Sequence, residues 1–284
     1  MNLTRRKFLK FAGATLISVG LIGIDTGCGF TEDAADGNFV KDWATLQIDD
    51  IPIEYNGRNY SRVLVIGDIH GNYTRFMSMY QKLEVTDNDL VIFLGDYVQG
   101  DKVVEDLKIL QWLIKQQEKQ NFIMLSGNME RDALKECFTE DGNLKENLDK
   151  KWAFAEGLKV HNLPQFNKNV YDFMANFRWH FTLTIDGKKF VFCHAGINEK
   201  MPIKAQDEFS LMYNKEFYKE YDGDKIVVIG HRPVQTVYGN DCTVPVKVPD
   251  KNILMVDTRC KKLHGYCSCV NVLTGEFWQS DKDW

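Results

Sequence analysis

From Arg62 onward the chain alternates short, wholly apolar runs with longer stretches in which apolar residues recur every third or fourth position. Val63-Leu64-Val65-Ile66 stops at Gly67, Leu90-Val91-Ile92-Phe93-Leu94 stops at Gly95, and Phe122-Ile123-Met124-Leu125 stops before Ser126-Gly127. Runs this short, apolar throughout and ended by glycine, read as strands covered on both faces. Between them Tyr73, Phe76, Met77, Tyr80 and Leu83 keep helical spacing, and a second helix runs from about Val103 to Gln117 with Leu107, Leu110 and Ile114 along one face. Residues 129–175 read as mainly helical. The second half supplies strands at Phe181 to Ile185, Phe190 to Cys193, Ile226 to Ile229 and Ile253 to Val256, with a turn at Asp186-Gly187 and a last hairpin about Leu273-Thr274-Gly275-Glu276. Stacked as a second sheet on the first, these strands make an α/β fold, a four-layer αββα sandwich. Upstream, Leu46-Gln47-Ile48 through Tyr55-Asn56-Gly57-Arg58 reads as short strands with an Asn-Gly turn.

Composition adds bounds to this pattern. With 284 residues, 44% hydrophobic and 26% charged, the chain has material for a sizeable core, which excludes disordered and fibrous classes. No repeat or low-complexity tract interrupts it and prolines number only 6, so nothing marks a flexible linker between domains. The expected organisation is an address over 1–28, a leader with short strands over 29–60, and one domain over 61–284. The formal charge is −5, and the first 28 residues contribute +3 (Arg5, Arg6, Lys7 and Lys10 against Asp25), so the remainder is more acidic still. A surface of that sign is a poor partner for nucleic acid, whose phosphates need cations to displace counterions. Any phosphate handled here must be met locally, most simply by metal.

The address is Thr4-Arg5-Arg6-Lys7-Phe8-Leu9-Lys10 followed by an apolar run from Phe11 to Ile24. It has the basic region, short apolar region and small-residue end of an export signal, and its paired arginines resemble the twin-arginine (Tat) pattern. The run is too short to span a bilayer comfortably, for which roughly 20 residues are needed, so cleavage and release are expected over a permanent anchor. The expected location is periplasmic or extracellular, reached through the Tat machinery. Cys28 stands where a lipid could attach, although Asp25 occupies a position that such a pattern gives to an aliphatic residue. Six cysteines follow the signal, an even number that permits disulfides in an oxidising compartment. Cys267 and Cys269 are too close for an easy mutual bridge and read as two side chains on one face of a strand.

Polar clusters fall directly after the apolar strands, where open α/β sheets hold their ligands. They are Gly67-Asp68-Ile69-His70-Gly71, Gly95-Asp96-Tyr97, Gly127-Asn128-Met129-Glu130, Cys193-His194-Ala195-Gly196 and Gly230-His231-Arg232-Pro233. An extended Asp-x-His points both side chains one way, so Asp68 and His70 can grip one ion. With Asp96, Asn128, His194 and His231 they offer oxygen and imidazole ligands suited to two first-row divalent cations. A lone Asp or His at a strand end is usually a cap, but five such sites in one chain are not explained as caps.

In this order the blocks resemble the calcineurin-like metallophosphoesterases, and among them the bacterial PPP-type serine/threonine phosphatases and symmetrical diadenosine tetraphosphate hydrolases. The likeness runs over about residues 61–279 and includes Val256-Asp257-Thr258-Arg259-Cys260 and Thr274-Gly275-Glu276-Phe277 as closing strands. It implies Asp68 and His70 on a first metal, Asp96 bridging, and Asn128, His194 and His231 on a second. Manganese, iron, zinc or nickel suits such a site. The implied reaction is attack of a metal-activated hydroxide on the phosphorus of a phosphorylated small molecule or protein. The chain departs from the family at four positions: Met129 replaces the His that serves as proton donor, Gln99 its orienting Asp, and Gly100 and Asn214 two phosphate-clamping arginines. Lys215, Arg131 or Arg232 could restore part of the lost charge, with Arg232 nearest in sequence to a ligand. Without the acid, substrates with good leaving groups should suffer least. The alternative is a metal-bound pseudo-phosphatase that binds a phosphorylated ligand without turnover. His161, His180 and His264 read as surface or core residues.

Overall fold

The computed structural model describes residues 53–99, 105–161 and 164–281. The export signal, Cys28, the strand expected at Leu46-Gln47-Ile48 and Gly100 lie outside the described residues. The chain enters as a hairpin, β1 (Ile53–Tyr55) and β2 (Arg58–Tyr60), whose turn residues Asn56 and Gly57 both have positive φ, 51° and 70°. Asn-Gly is suited to that two-residue turn because both positions need left-handed backbone. This hairpin packs onto the domain through Tyr55, whose ring meets Phe181 edge-on at 5.0 Å.

Two five-stranded sheets follow. The first has the order β12-β11-β3-β4-β5, with β3 (Arg62–Ile66), β4 (Asp89–Phe93) and β5 (Phe122–Met124) parallel, and β11 (Ser268–Asn271) and β12 (Phe277–Gln279) antiparallel. The second has the order β6-β7-β8-β10-β9. Its centre, β7 (Lys188–Cys193), β8 (Ile226–Ile229) and β10 (Ile253–Met255), is parallel, and β6 (His180–Ile185) and β9 (Val246–Lys247) are antiparallel edges. The final hairpin therefore belongs to the first sheet, which corrects the expectation that every later strand joins the second. A physical reason is visible in β3: buried from Val63 to Ile66, it needs a partner on the side away from β4, and β11 supplies it with Val270 opposite Val65.

Strand alternation divides the apolar residues among three cores. Val63, Val65, Leu90, Ile92 and Leu94 meet Phe190, Phe192, Val228 and Leu254 between the sheets. Leu64, Ile66, Val91 and Phe93 face the other way, under α1 (Tyr73–Leu83) and α2 (Asp106–Gln116). Within α2 the buried face is Ile109, Leu110 and Leu113, flanked by half-buried Leu107 and Ile114. This outer layer is completed by α3 (Asn128–Cys137), α4 (Ala153–His161) and α5 (Pro164–Ala175). On the far face, Val191, Val227 and Ile253 are covered from α6 (Glu208–Met212), α7 (Phe217–Glu220) and α8 (Val234–Tyr238). The αββα sandwich is thus observed, with its layers set by which neighbour of each strand pair points inward. Cys267 and Cys269 do share one face and one core, with Cys260, and the six described cysteines are buried. Among the described residues no helix is long and apolar enough to cross a membrane.

Candidate metal centre

Six parallel strands, three from each sheet, end at one rim, and the polar blocks leave from their C-terminal ends. Asp68, His70, Asp96, Asn128, His194 and His231 converge there. Ligand-capable atoms of Asp68, His70 and Asp96 lie within 4.8 Å of one another, as do those of Asp96, His194 and His231, so Asp96 is common to both groups. His70 Nε2 stands 3.7 Å from Asp68 Oδ2 and 3.6 Å from Asp96 Oδ2. His194 Nε2 stands 3.4 Å from Asp96 Oδ1, 3.0 Å from Asn128 Oδ1 and 3.2 Å from His231 Nδ1. The convergence of Asp68 with His70 does not come from extended backbone: His70 has φ 48°, so the chain turns there. Asp96 and His231 also have positive φ, 51° and 59°. Three non-glycine residues held in left-handed backbone at one rim represent strain that the surroundings must offset.

Those surroundings can be read group by group. Glu130, fully buried on the first turn of α3, accepts the backbone N–H of Asp96 and of Tyr97 at 2.8 Å and of Gly127 at 2.9 Å, so one carboxylate fixes the turn that carries Asp96. The Asp96 carbonyl in turn accepts Ile69 N–H at 3.0 Å and His70 N–H at 2.8 Å, tying the first block to the second. Asp68 accepts His231 N–H at 3.1 Å, and Gly230 N–H donates to the His194 carbonyl at 2.9 Å, which ties the fourth block to the fifth. Two glycines are required by closeness. A Cβ on Gly127 would lie 2.2 Å from Asp96 Oδ1, and one on Gly230 would lie 2.2 Å from Asp68 Oδ1.

The donor and acceptor chemistry tests whether a cation fits. His194 Nδ1 lies 2.9 Å from the Leu94 carbonyl, an acceptor only, so Nδ1 carries the ring proton and Nε2 presents a lone pair. That lone pair faces a carboxylate oxygen and an amide oxygen. His70 repeats the arrangement, with Nδ1 on the Val98 carbonyl at 3.3 Å and Nε2 toward two carboxylates. Acceptors turned on one another at 3.0–3.7 Å repel unless positive charge lies between them. Burial holds the imidazoles neutral, pushing His70 down to about 3, His194 to about 4 and His231 to about 2. Burial likewise pushes the Asp96 carboxyl up to about 7 against the bond from Met129 N–H, and raises Asp68 with further help from Asp257 and Asp96. Neutral imidazoles beside carboxylates that resist charging are a set that a divalent cation would satisfy. The donor set fits the metals expected from the sequence.

The remaining expected positions separate into those near the centre and those committed elsewhere. Arg232 is half-buried beside His231, and with Lys215 it acts on that ring, after burial and His194. Arg131 pairs with Glu208 at 3.3 Å and lies over the Trp179 ring, so its charge is already used. The half-buried Met129 side chain packs against the outer core, and its N–H donates to Asp96 Oδ1 at 2.9 Å. Gln99 is half-buried with φ 69°, and Asn214 Oδ1 accepts Glu216 N–H at 3.0 Å. His180 is half-buried, 2.7 Å from the Ile203 carbonyl, His264 is exposed, and His161 ends α4. Two further buried carboxylates surround the expected ligands: Glu130, which holds the backbone of the second and third blocks, and Asp257, which raises Asp68. The strand-end rule applied to Ile253–Val256 would have found Asp257.

Comparisons with known proteins agree with this geometry. The chain is 34% identical over 94 residues to serine/threonine-protein phosphatase 2 of Salmonella typhimurium, a stretch covering 32% of this chain and 39% of that one. It is 31% identical over 121 residues to serine/threonine-protein phosphatase 2 of Escherichia coli, covering 38% of this chain and 53% of the relative. The chain thus spans about half, or less, of these relatives' length. A crystal structure assigned as a diadenosine tetraphosphatase shares the fold at TM-score 0.54 and 16% identity, covering 78% of this chain and 94% of the other. The calcineurin-like phosphoesterase family model matches residues 61–256, more than half of the chain, and the protein belongs to that family.

Proposed function

We propose that the protein is a metal-dependent phosphoesterase that holds two divalent cations, one by Asp68, His70 and Asp96 and the other by Asp96, Asn128, His194 and His231. The observation that carries this reading is the set of lone pairs and carboxylates turned on one another around Asp96. Cations bound there supply Lewis acidity toward a phosphoryl oxygen and toward water. The chain's own part is positional: Glu130 and the Asp68–His231 bond hold the ligands, and Arg232 and Lys215 lend charge on the His231 side. Position 129 carries a thioether, half-buried against the outer core and without a proton to give, so nothing there can pass one to a leaving oxygen. General acid help contributes typically 10²–10⁴-fold, so the preferred substrates are those whose leaving group needs none: aryl phosphates, phosphoanhydrides and activated diesters. The experiment is a leaving-group panel on the full chain loaded with manganese. Turnover of p-nitrophenyl phosphate or its diester, lost in Asp96→Asn, supports the reading; metal-loaded protein inert to monoesters, diesters and anhydrides replaces it with the pseudo-phosphatase.

We further propose export by the twin-arginine route, resting on Arg5-Arg6 and the apolar run after them. Replacing both arginines by lysine should retain the protein inside the cell, as read by fractionation.

A further inference from the structure

The connection that follows the fourth ligand block encloses a cavity of about 580 Å³, a size that small-molecule sites commonly have. Buried Ile197, Phe217 and Tyr221 form part of its lining, together with Asn198, Phe209 on α6 and Asn214 between α6 and α7. Two sets of contacts fasten this lining to the centre. Ala195, next to His194, donates its N–H to the Leu211 carbonyl at 2.8 Å, and a Cβ on Gly196 would lie 2.3 Å from Phe217 Cγ. From the other side the Tyr213 hydroxyl donates to Asp132 Oδ1 at 2.7 Å and Arg131 reaches Glu208 at 3.3 Å, which ties α6 to α3, the helix that starts at Asn128. The cavity is thus built onto the blocks that carry His194 and Asn128.

Most polar groups of the lining already have partners. The two Asp207 oxygens accept the N–H and the hydroxyl of Ser210, each at 2.8 Å. Asn198 exchanges two backbone bonds with the Gln206 amide, at 2.6 and 2.9 Å, and Asn214 Oδ1 accepts Glu216 N–H. What lacks cover is apolar: Phe209 is 64% exposed, whereas every other described phenylalanine and tryptophan is buried or half-buried. Glu199 and Glu220 stand exposed in the same lining against one lysine, Lys200. Carboxylates repel a phosphate, so the phosphoryl end of a ligand belongs over the cations and an uncharged part of it belongs here. An open aromatic ring gains most from a second ring laid against it.

We propose that this cavity receives an aromatic leaving group stacked on Phe209, so that among activated substrates the chain prefers aryl phosphates to acyl phosphates and anhydrides that lack a ring. The proposal rests on the phosphoesterase reading and names the substrate class within it.

The test uses the full chain loaded with manganese and two probes that cannot be hydrolysed, phenylphosphonate and methylphosphonate, with binding measured by calorimetry. Phenylphosphonate should bind about three- to tenfold more tightly, the size of one ring pair. Phe209→Ala should remove that preference and leave methylphosphonate affinity as it was, and Phe209→Tyr should keep it. In turnover, Phe209→Ala should raise KM for p-nitrophenyl phosphate by the same factor and leave acetyl phosphate, which is activated but has no ring, unchanged. Equal affinity for the two phosphonates, an equal loss of both in Phe209→Ala, loss of the preference in Phe209→Tyr, or no binding of either probe overturns the proposal. Tighter binding of aminoethylphosphonate than of phenylphosphonate would assign the cavity to a cation and overturn it as well. The two readings fail separately: a Phe209-dependent preference for the phenyl probe without turnover of any ester rejects the phosphoesterase alone, and turnover indifferent to the ring rejects this inference alone.

Discussion

Val65 and Asp68 are three residues apart, and the rules that place them are opposite. In the middle of β3 and β4 the side chains are apolar, the backbone is extended, and successive residues drop into the inter-sheet core or the outer core by alternation alone. At the C-terminal rim the side chains are carboxylates, imidazoles and one amide, the backbone of His70, Asp96 and His231 is left-handed, and Asp68, His70, Asp96, His194 and His231 are each tied to another block by a bond that involves backbone. The middle is stabilised by burial that many residues share. The rim is held by a few groups, and what it gains in return is a cation site. Changes in the two regions should therefore register in different measurements.

The largest effect on folding belongs to the middle. Phe192 is fully buried between the sheets and stacks beside Phe190 at 6.2 Å, so Phe192→Ala should cost about 3–5 kcal/mol in denaturant unfolding. Metal affinity of the fraction that stays folded should be near normal. A small cost would show that the sheets can close over the gap and would blur the contrast. At the rim, Glu130→Gln removes one of the two oxygens that accept the backbone N–H groups of Asp96, Tyr97 and Gly127. Losses of this kind typically weaken metal binding about 10–100-fold. Stability without added metal should fall by about 1–3 kcal/mol, less than in Phe192→Ala, because a buried backbone N–H loses its acceptor. If stability fell as far as in Phe192→Ala, the rim would be ordinary core.

The smallest effect comes from a polar pair far from the centre. Arg62 reaches Asp89 with two bonds of 2.7 Å, and Thr86 adds another from its N–H. Burial alone would raise the Asp89 carboxyl, but these bonds together hold it below the usual carboxylate range. A depressed native pKa means stability that is present above the unfolded value near 3.9 and lost as pH falls through the native one. Arg62 is partly exposed, so solvent screens the pair and Asp89→Asn should cost about 1–2 kcal/mol at neutral pH. The difference between the two proteins should shrink on acidification below about pH 4. A difference independent of pH would mean that shape rather than charge sets the contribution.

The same division decides what could be read from the chain. Apolar runs such as Val63–Ile66 and Leu90–Leu94 have one physical interpretation in a covered parallel sheet, and the six ligand-like residues announced themselves by following such runs. The final hairpin was misplaced because its residues specify a strand pair but not which sheet offers an open edge; β3 decides that through a contact more than 200 residues distant in sequence, visible as the bond from Val63 N–H to Asn271 Oδ1 at 3.3 Å. Glu130 is invisible as a positioning group because its partners are backbone atoms, which every residue carries.

The account depends most directly on the pair of cations around Asp96, and metal content measures it. Full-length protein purified, stripped with chelator, and titrated with manganese should take up two equivalents per chain, with thermal stability rising as they bind and Asp96→Asn losing uptake at both positions, since Asp96 belongs to both groups. Uptake of no metal, or uptake undisturbed by Asp96→Asn, would contradict the central claim.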